Sequence, residues 1–256
     1  MKTRWVLLLV AAVVSASAMA ENGPPAEDAL PNRIQGDLGI LADEEQSPVR
    51  GEGTHVLPLP FAFADYGRLY ARIDTFGVKT ARVGYGYLEI AGRVKFDGYS
   101  ATGNAALTGI AGRRNSVPIG LGTFQETPIG GFFIYALHDI ARSQGNLVEL
   151  TYAAELKLGE ATLYPEAGFE HYTSQYTQYY YGVSPAESAS SGYAAYRPGA
   201  VTNPFLCLFL EVPITPRWNA NFFLRRKWLG AAMANSPLVD TRHPDAGFAA
   251  LTVHFQ

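Results

Sequence analysis

The side chains in this sequence best suited to moving a proton near neutral pH are His55, His138, His171, His243 and His254. A serine becomes a nucleophile when an imidazole lies within hydrogen-bond reach to take its proton. Ser184 and Ser188, a short way past His171, are the candidates for such a pair. No Gly-x-Ser-x-Gly elbow surrounds them, and serines in loops ordinarily serve turns. Glu170-His171 could be imagined as metal ligands, but no regular His/Asp/Glu spacing supports a site. The single cysteine, Cys207, excludes an internal disulfide and sits in an apolar run, where a thiol is ordinarily inert. No catalytic residue, metal or cofactor is therefore expected.

Lys2 and Arg4, the apolar run Trp5 to Val14 and the small residues ending in Ala18-Met-Ala20 read as a signal peptide over residues 1–20. The run is too short for a membrane-spanning helix, which needs about 20 apolar residues. Removing Lys2 and Arg4 leaves 18 basic against 23 acidic residues, and no basic block suggests a nucleic-acid partner. Residues 21–50, with Pro24-Pro25, Pro31 and Glu44-Glu45, form a polar N-terminal segment in which Gly39-Ile-Leu41 begins a first strand.

Beyond that point the sequence alternates. Val148, Leu150, Tyr152, Ala154 and Leu156 interleave with Glu149, Thr151, Glu155 and Lys157. Leu88, Ile90, Val94 and Phe96 oppose Glu89, Arg93 and Lys95, and Leu206, Leu208 and Leu210 oppose Cys207 and Glu211, with Phe205 and Phe209 on that second face. Period-two alternation means strands with two different environments. A soluble sandwich would alternate too, but strands here run about ten residues, as tilted membrane strands require. Short turns at Tyr66-Gly67, Leu158-Gly159 and Pro213–Arg217 alternate with long loops at 97–115, 171–203 and 230–245. The fold class expected is all-β, a closed antiparallel transmembrane β-barrel of the outer membrane of a Gram-negative bacterium. Residues 51–256 form it, joined by the first strand within 21–50, and its twelve strands lie near 36–42, 54–64, 68–75, 76–82, 86–96, 115–125, 128–138, 146–157, 159–170, 203–213, 217–228 and 245–255.

Three site expectations follow. Trp218 and Trp228 share parity ten residues apart, which at about 3.3 Å per residue and a 40° tilt spans roughly 25 Å, so they mark two aromatic girdles. Arg226 shares their lipid-facing parity and is the candidate for a lipopolysaccharide headgroup, while Arg225 turns inward. The charged lumen residues Arg72, Asp74, Lys79, Glu89, Arg93, Lys95, Glu149, Glu155, Lys157, Glu166, Glu170, Glu211 and Arg225 mix both signs, which favours an occluded barrel over an open channel.

The loop Tyr179-Tyr-Tyr-Gly-Val-Ser-Pro-Ala-Glu-Ser-Ala-Ser-Ser-Gly192, followed by Tyr196, resembles a Tyr-Gly-Val-Ser…Ser-Gly…Tyr motif of the MipA/OmpV family. Val56-Leu-Pro-Leu-Pro60 and Asn235-Ser-Pro-Leu-Val239 resemble two further family segments, so the likeness spans about residues 50–256. It departs over 34–50, where a Gly-rich strand and Pro-x-Tyr-x-Gly are degraded, and at the trailing Gln256. The resemblance implies a non-enzymatic outer-membrane scaffold linking a lytic transglycosylase to a penicillin-binding murein synthase for peptidoglycan growth. The alternatives are a small-solute channel, a surface-binding porin-like protein or an outer-membrane hydrolase. Tyr179, Tyr180, Tyr181, Gly182, Val183, Ser184, Ser188, Ser191, Gly192 and Tyr196 are the loop candidates. They serve either as a contact surface for a partner or as a cap on the barrel, with Gly182 and Gly192 at positive φ.

Overall fold

The computed structural model describes residues 30–256. The expected signal peptide and residues 21–29 of the polar N-terminal segment lie outside the described residues. Thirteen strand segments in chain order build one sheet: β1 (Gln35–Gln46), β2 (Thr54–Tyr66), β3 (Leu69–Arg72), β4 (Thr75–Val83), β5 (Gly86–Arg93), β6 (Ile119–Thr127), β7 (Gly130–His138), β8 (Asn146–Ala153), β9 (Leu156–Leu158), β10 (Ala161–Tyr172), β11 (Val201–Pro213), β12 (Trp218–Lys227) and β13 (Asp245–Phe255). β8 and β9 both pair with β10 and are two parts of one strand, broken at Ala154-Glu155. β1 pairs with both β2 and β13, and β10 with β11, so the twelve-stranded antiparallel barrel closes. Closure matters physically, because hydrocarbon offers no partner for a free backbone N–H or C=O. Among the described residues no helix is long and apolar enough to cross a membrane.

Parity sets the faces as expected. Ile40, Ile90, Leu121, Leu206, Leu208 and Leu224 point outward and are exposed, while Glu89, Arg93, Glu149, Cys207 and Asn221 point inward and are buried. The first strand is longer than 36–42, because Asp43 and Glu45 continue the inward row and their segment pairs with β13 as far as Ala246. Glu155 and Lys157 are a second departure. Both are half or more exposed at the rim and pair with each other at 2.7 Å, with Glu155 at the edge of the lumen cavity and Lys157 outside its lining.

One end of the barrel carries short turns, as at Gly67-Arg68, Pro128-Ile129 and Gly159-Glu160. The other carries the long connections, including α1 (Ser174–Tyr181), α2 (Pro185–Ser191) and α3 (Ala231–Ala234). One connection breaks the pattern. The β3–β4 hairpin turns back at Ile73-Asp74 after only four residues of β3, far short of the height reached by β2.

Candidate functional site: a plugged lumen with an aromatic wall

The segment between β10 and β11 folds inward. Tyr176 and Tyr180 lie four residues apart on one face of α1, and Tyr172, the last residue of β10, stacks on Tyr176. Their rings pack at 4.6 and 4.8 Å between centroids, each fully buried. Ring pairs of this kind contribute about 0.5–1.5 kcal/mol beyond area burial. Leu107, Met233 and Leu238, from two other long connections, complete the same core. The phenols are satisfied: Tyr176 donates to Asp97 at 2.5 Å and Tyr180 to the Arg114 carbonyl at 3.1 Å. The carbonyl of Tyr180 accepts from the Tyr99 hydroxyl, and that of Tyr181 from Ser236.

The remaining loop candidates hold this plug together. Arg113 bonds the Tyr179 carbonyl, and the Tyr179 hydroxyl accepts from the Arg114 amide. Val183 bridges to Tyr196, whose hydroxyl reaches the Ala232 carbonyl at 3.1 Å. Ser184 caps α2 by accepting from the Glu187 amide, and Glu187 returns the bond to the Ser184 amide, a reciprocal capping box. The hydroxyl of Ser188 donates to the Tyr193 carbonyl and that of Ser191 to the Glu187 carbonyl. Gly192 ends α2 at φ 80°, as expected, but Gly182 does not sit at positive φ. At φ −78° its constraint is space: a Cβ there would collide with Gln178. Arg113 also pairs with Glu187 at 2.8 Å. Burial pushes the Glu187 carboxyl up, but the Ser184 amide, Arg113, the Ser184 hydroxyl and the Ala111 amide outweigh it and hold it at about 2.

Below the plug the charged residues form a ladder. Glu170, 1% exposed, meets Lys227 at 2.5 Å and Lys95 at 3.6 Å. Arg93 meets Glu149 at 2.6 Å and donates to Thr75. Arg72 and Lys79 share Asp65, at 2.9 and 2.8 Å, and Arg225 faces Glu45 at 3.7 Å. Lys227 was absent from the expected lumen set, although it shares the parity of Arg225.

The lumen is not uniformly polar. Phe61, Phe205, Phe209, Phe223 and Phe248 line one side of a cavity of about 780 Å³, with Cys207 among them and Arg93, Tyr135 and Glu149 also in its lining. Phe248 is the hub, 6.0 Å from Phe61, 6.2 Å from Phe209 and stacked on Phe223 at 5.1 Å. The lining runs down to Thr127–Gly130 and Glu211 near the short-turn end. Phe205 and Phe209 were visible in the alternation on the charged face, and that was the signal of an apolar inner wall.

The other candidates lie apart. Trp218 is exposed at the start of β12, and Trp228 follows its far end, half-buried with its ring 6.5 Å from His243. Arg226 lies opposite Asp245 in the β12–β13 register and makes a two-bond fork with it, at 2.7 and 2.5 Å. The groups that sequence reserved for a phosphate are thus already engaged. His171 bonds Thr202 at 2.9 Å, so neither it nor Ser184 or Ser188 is partnered as a nucleophile–base pair. Among the described residues no group of three His, Cys, Asp or Glu side chains could hold a metal ion.

Against this geometry, the family model for the MltA-interacting protein MipA matches residues 38–255. The chain belongs to this family. The outer membrane protein OmpV of Vibrio cholerae is 31% identical over 59% of this chain and 58% of its own length. The MltA-interacting protein of Escherichia coli is 30% identical over 38% of this chain and 40% of its own. The match to OmpV thus spans under two thirds of that relative. Among solved structures, the CymD monoaromatic hydrocarbon channel matches 87% of this chain and 89% of its own at 10% identity and a TM-score of 0.34. With its family and its closed barrel, the protein is an outer-membrane protein. The family members that match are named as outer-membrane or interacting proteins, not as enzymes.

Proposed function

We propose that this barrel is a non-enzymatic scaffold that binds murein-processing enzymes at its short-turn end, with that end in the periplasm. The plug carries the reading. A barrel whose long-loop end is filled by stacked, hydrogen-bonded tyrosines is suited to contact rather than to bulk passage. Short periplasmic turns and long extracellular loops are the usual outer-membrane arrangement, and a relative's name, MltA-interacting protein, supplies the class of partner. On this reading the loop from Tyr179 to Tyr196 caps the barrel rather than engaging the partner. The partners are a lytic transglycosylase and a penicillin-binding murein synthase, with lipopolysaccharide around the barrel.

The test is capture from solubilised outer membranes with the tagged full-length protein, probed for both enzymes. Co-purification that survives deletion of residues 179–196 supports the scaffold, and recovery of neither enzyme contradicts it. The cavity of about 780 Å³ favours a second reading, a binding barrel for a small solute, since ligand pockets ordinarily measure about 300–1,000 Å³.

A further inference from the structure

The wall of the barrel has a gap. β2 pairs along its length with β1, but on its other side only Phe63–Tyr66 meet β3, and one more bond joins the Ile73 amide to the Ala62 carbonyl at 2.7 Å. Above that point Thr54 to Phe61 have no strand beside them. β4 ends at the same height as β3, so the next chain across the gap is Val94 to Asp97, which follows β5. Two strands are missing from this stretch of wall, and in a continuous sheet the chains that would flank them stand about three strand spacings, roughly 14 Å, apart. The early turn is held at a cost, because Ile73 is β-branched and sits at φ 60°.

The edge is made for this. Ala62 accepts from Ile73, so even-numbered backbone groups of β2 point toward the gap, and two of them belong to Pro58 and Pro60. Proline has no N–H to leave unpaired, and an unpaired edge is where a strand tolerates it. Pro60 lies in register with Ile40, and Ile40 with Leu251, both exposed apolar residues of the outer face, so the gap opens within the apolar band. The edge carbonyls that face it need water or a ligand, since a bare edge is not tolerated against lipid.

The gap is not sealed from within. Pro60, Ile73, Val94 and Phe96 belong to the outward face, yet they line the same cavity as Phe61, Phe209 and Phe248. Carboxylates outnumber basic side chains in that lining by ten to four. The four basic groups are all ion-paired, whereas Asp43, Glu126 and Glu211 have no ion pair among the described residues.

We infer that the gap between β2 and Val94–Asp97 is a lateral portal from the membrane into the lumen, used by small cationic amphiphiles that lay an apolar body on the phenylalanine wall and an amine among the carboxylates. Both the scaffold and the binding-barrel readings leave this route unassigned, and its test is independent of partner capture.

Cys207, the only cysteine and a member of the cavity lining, serves as the reporter. The full barrel is reconstituted in phosphatidylcholine vesicles, and alkylation of Cys207 by a lipid-dissolved N-alkylmaleimide is followed by mass spectrometry. Pro60→Trp or Val94→Trp narrows the portal and should slow labelling about tenfold. Leu121→Trp, on the outer face away from the gap, should not slow it. Heat-modifiability on gels confirms that each variant is folded. Dodecyltrimethylammonium should protect Cys207 and dodecyl sulfate should not. Equal labelling rates in wild type and both portal variants overturn the portal, and equal or absent protection by the two amphiphiles overturns the ligand class.

Discussion

Glu170 and Lys227 meet at 2.5 Å inside the barrel, on strands β10 and β12 that do not pair with each other. Their contact spans β11 from the lumen side and ties the sheet together directly beneath the tyrosine plug. Both side chains are buried, and Lys95 adds a second cation to Glu170 at 3.6 Å.

Removing one member of such a pair strands the other. Glu170→Gln leaves Lys227 and Lys95 facing each other without their shared carboxylate and should destabilise the barrel by about 3–5 kcal/mol. The double variant Glu170→Gln/Lys227→Met should recover most of that loss. Urea unfolding in detergent micelles measures both, and equal stability of the single variant and the wild type would refute the assignment.

The plug should loosen in acid. The Glu187 carboxyl is held at about 2, below its ordinary value of 4.5, so its tether to Ser184 and Arg113 contributes its full stability above about pH 4.5. The stability it contributes is lost as pH falls through about 2. Near-UV circular dichroism from the buried tyrosines should weaken over that window, and Glu187→Gln should flatten the dependence. A profile unchanged by the substitution would contradict the tether.

Gly109 sits at φ 83°, and a Cβ there would lie 2.6 Å from the Ser190 backbone of α2. Gly109→Ala therefore combines backbone strain with a clash between two plug segments. A cost of about 1–3 kcal/mol is expected, read as faster hydrogen exchange over residues 174–192 with the strands still protected. Unchanged exchange there would show that the two segments do not pack.

The headgroup role of Arg226 now has a competitor in Asp245. If the outer-leaflet phosphate shares the guanidinium, Asp245→Ala should raise co-purifying lipopolysaccharide and Arg226→Glu should lower it. Lipid content indifferent to both substitutions would end the proposal. Trp218 and Trp228 are checked in parallel: lipids brominated near the headgroup should quench both more strongly than lipids brominated at mid-chain.

The wall of this protein was legible in its sequence because strand parity is a local property. Val148 to Leu156 report two environments without any knowledge of neighbours, and the twelve strand positions follow from such runs together with glycine and proline breaks. What parity cannot say is what the inner face must be. Phe205 and Phe209 shared a face with Cys207 and Glu211, and only register brings them beside Phe223 and Phe248. Asp245 opposite Arg226 is likewise a fact of β12–β13 pairing, and Glu170 with Lys227 a fact of curvature across a third strand. The plug was partly readable: tyrosines at 176 and 180 mark one helix face, and Ser184 with Glu187 spells a capping box. That these helices turn inward depends on Leu107, Met233 and Leu238, contributed from distant loops.

Planar-bilayer recording of the reconstituted wild type beside a variant lacking residues 174–199 tests the central claim, an occluded barrel plugged by its own loop. The account predicts no steady conductance from the wild type and stable open steps from the deletion variant. Steady ion conductance through the wild type would contradict it.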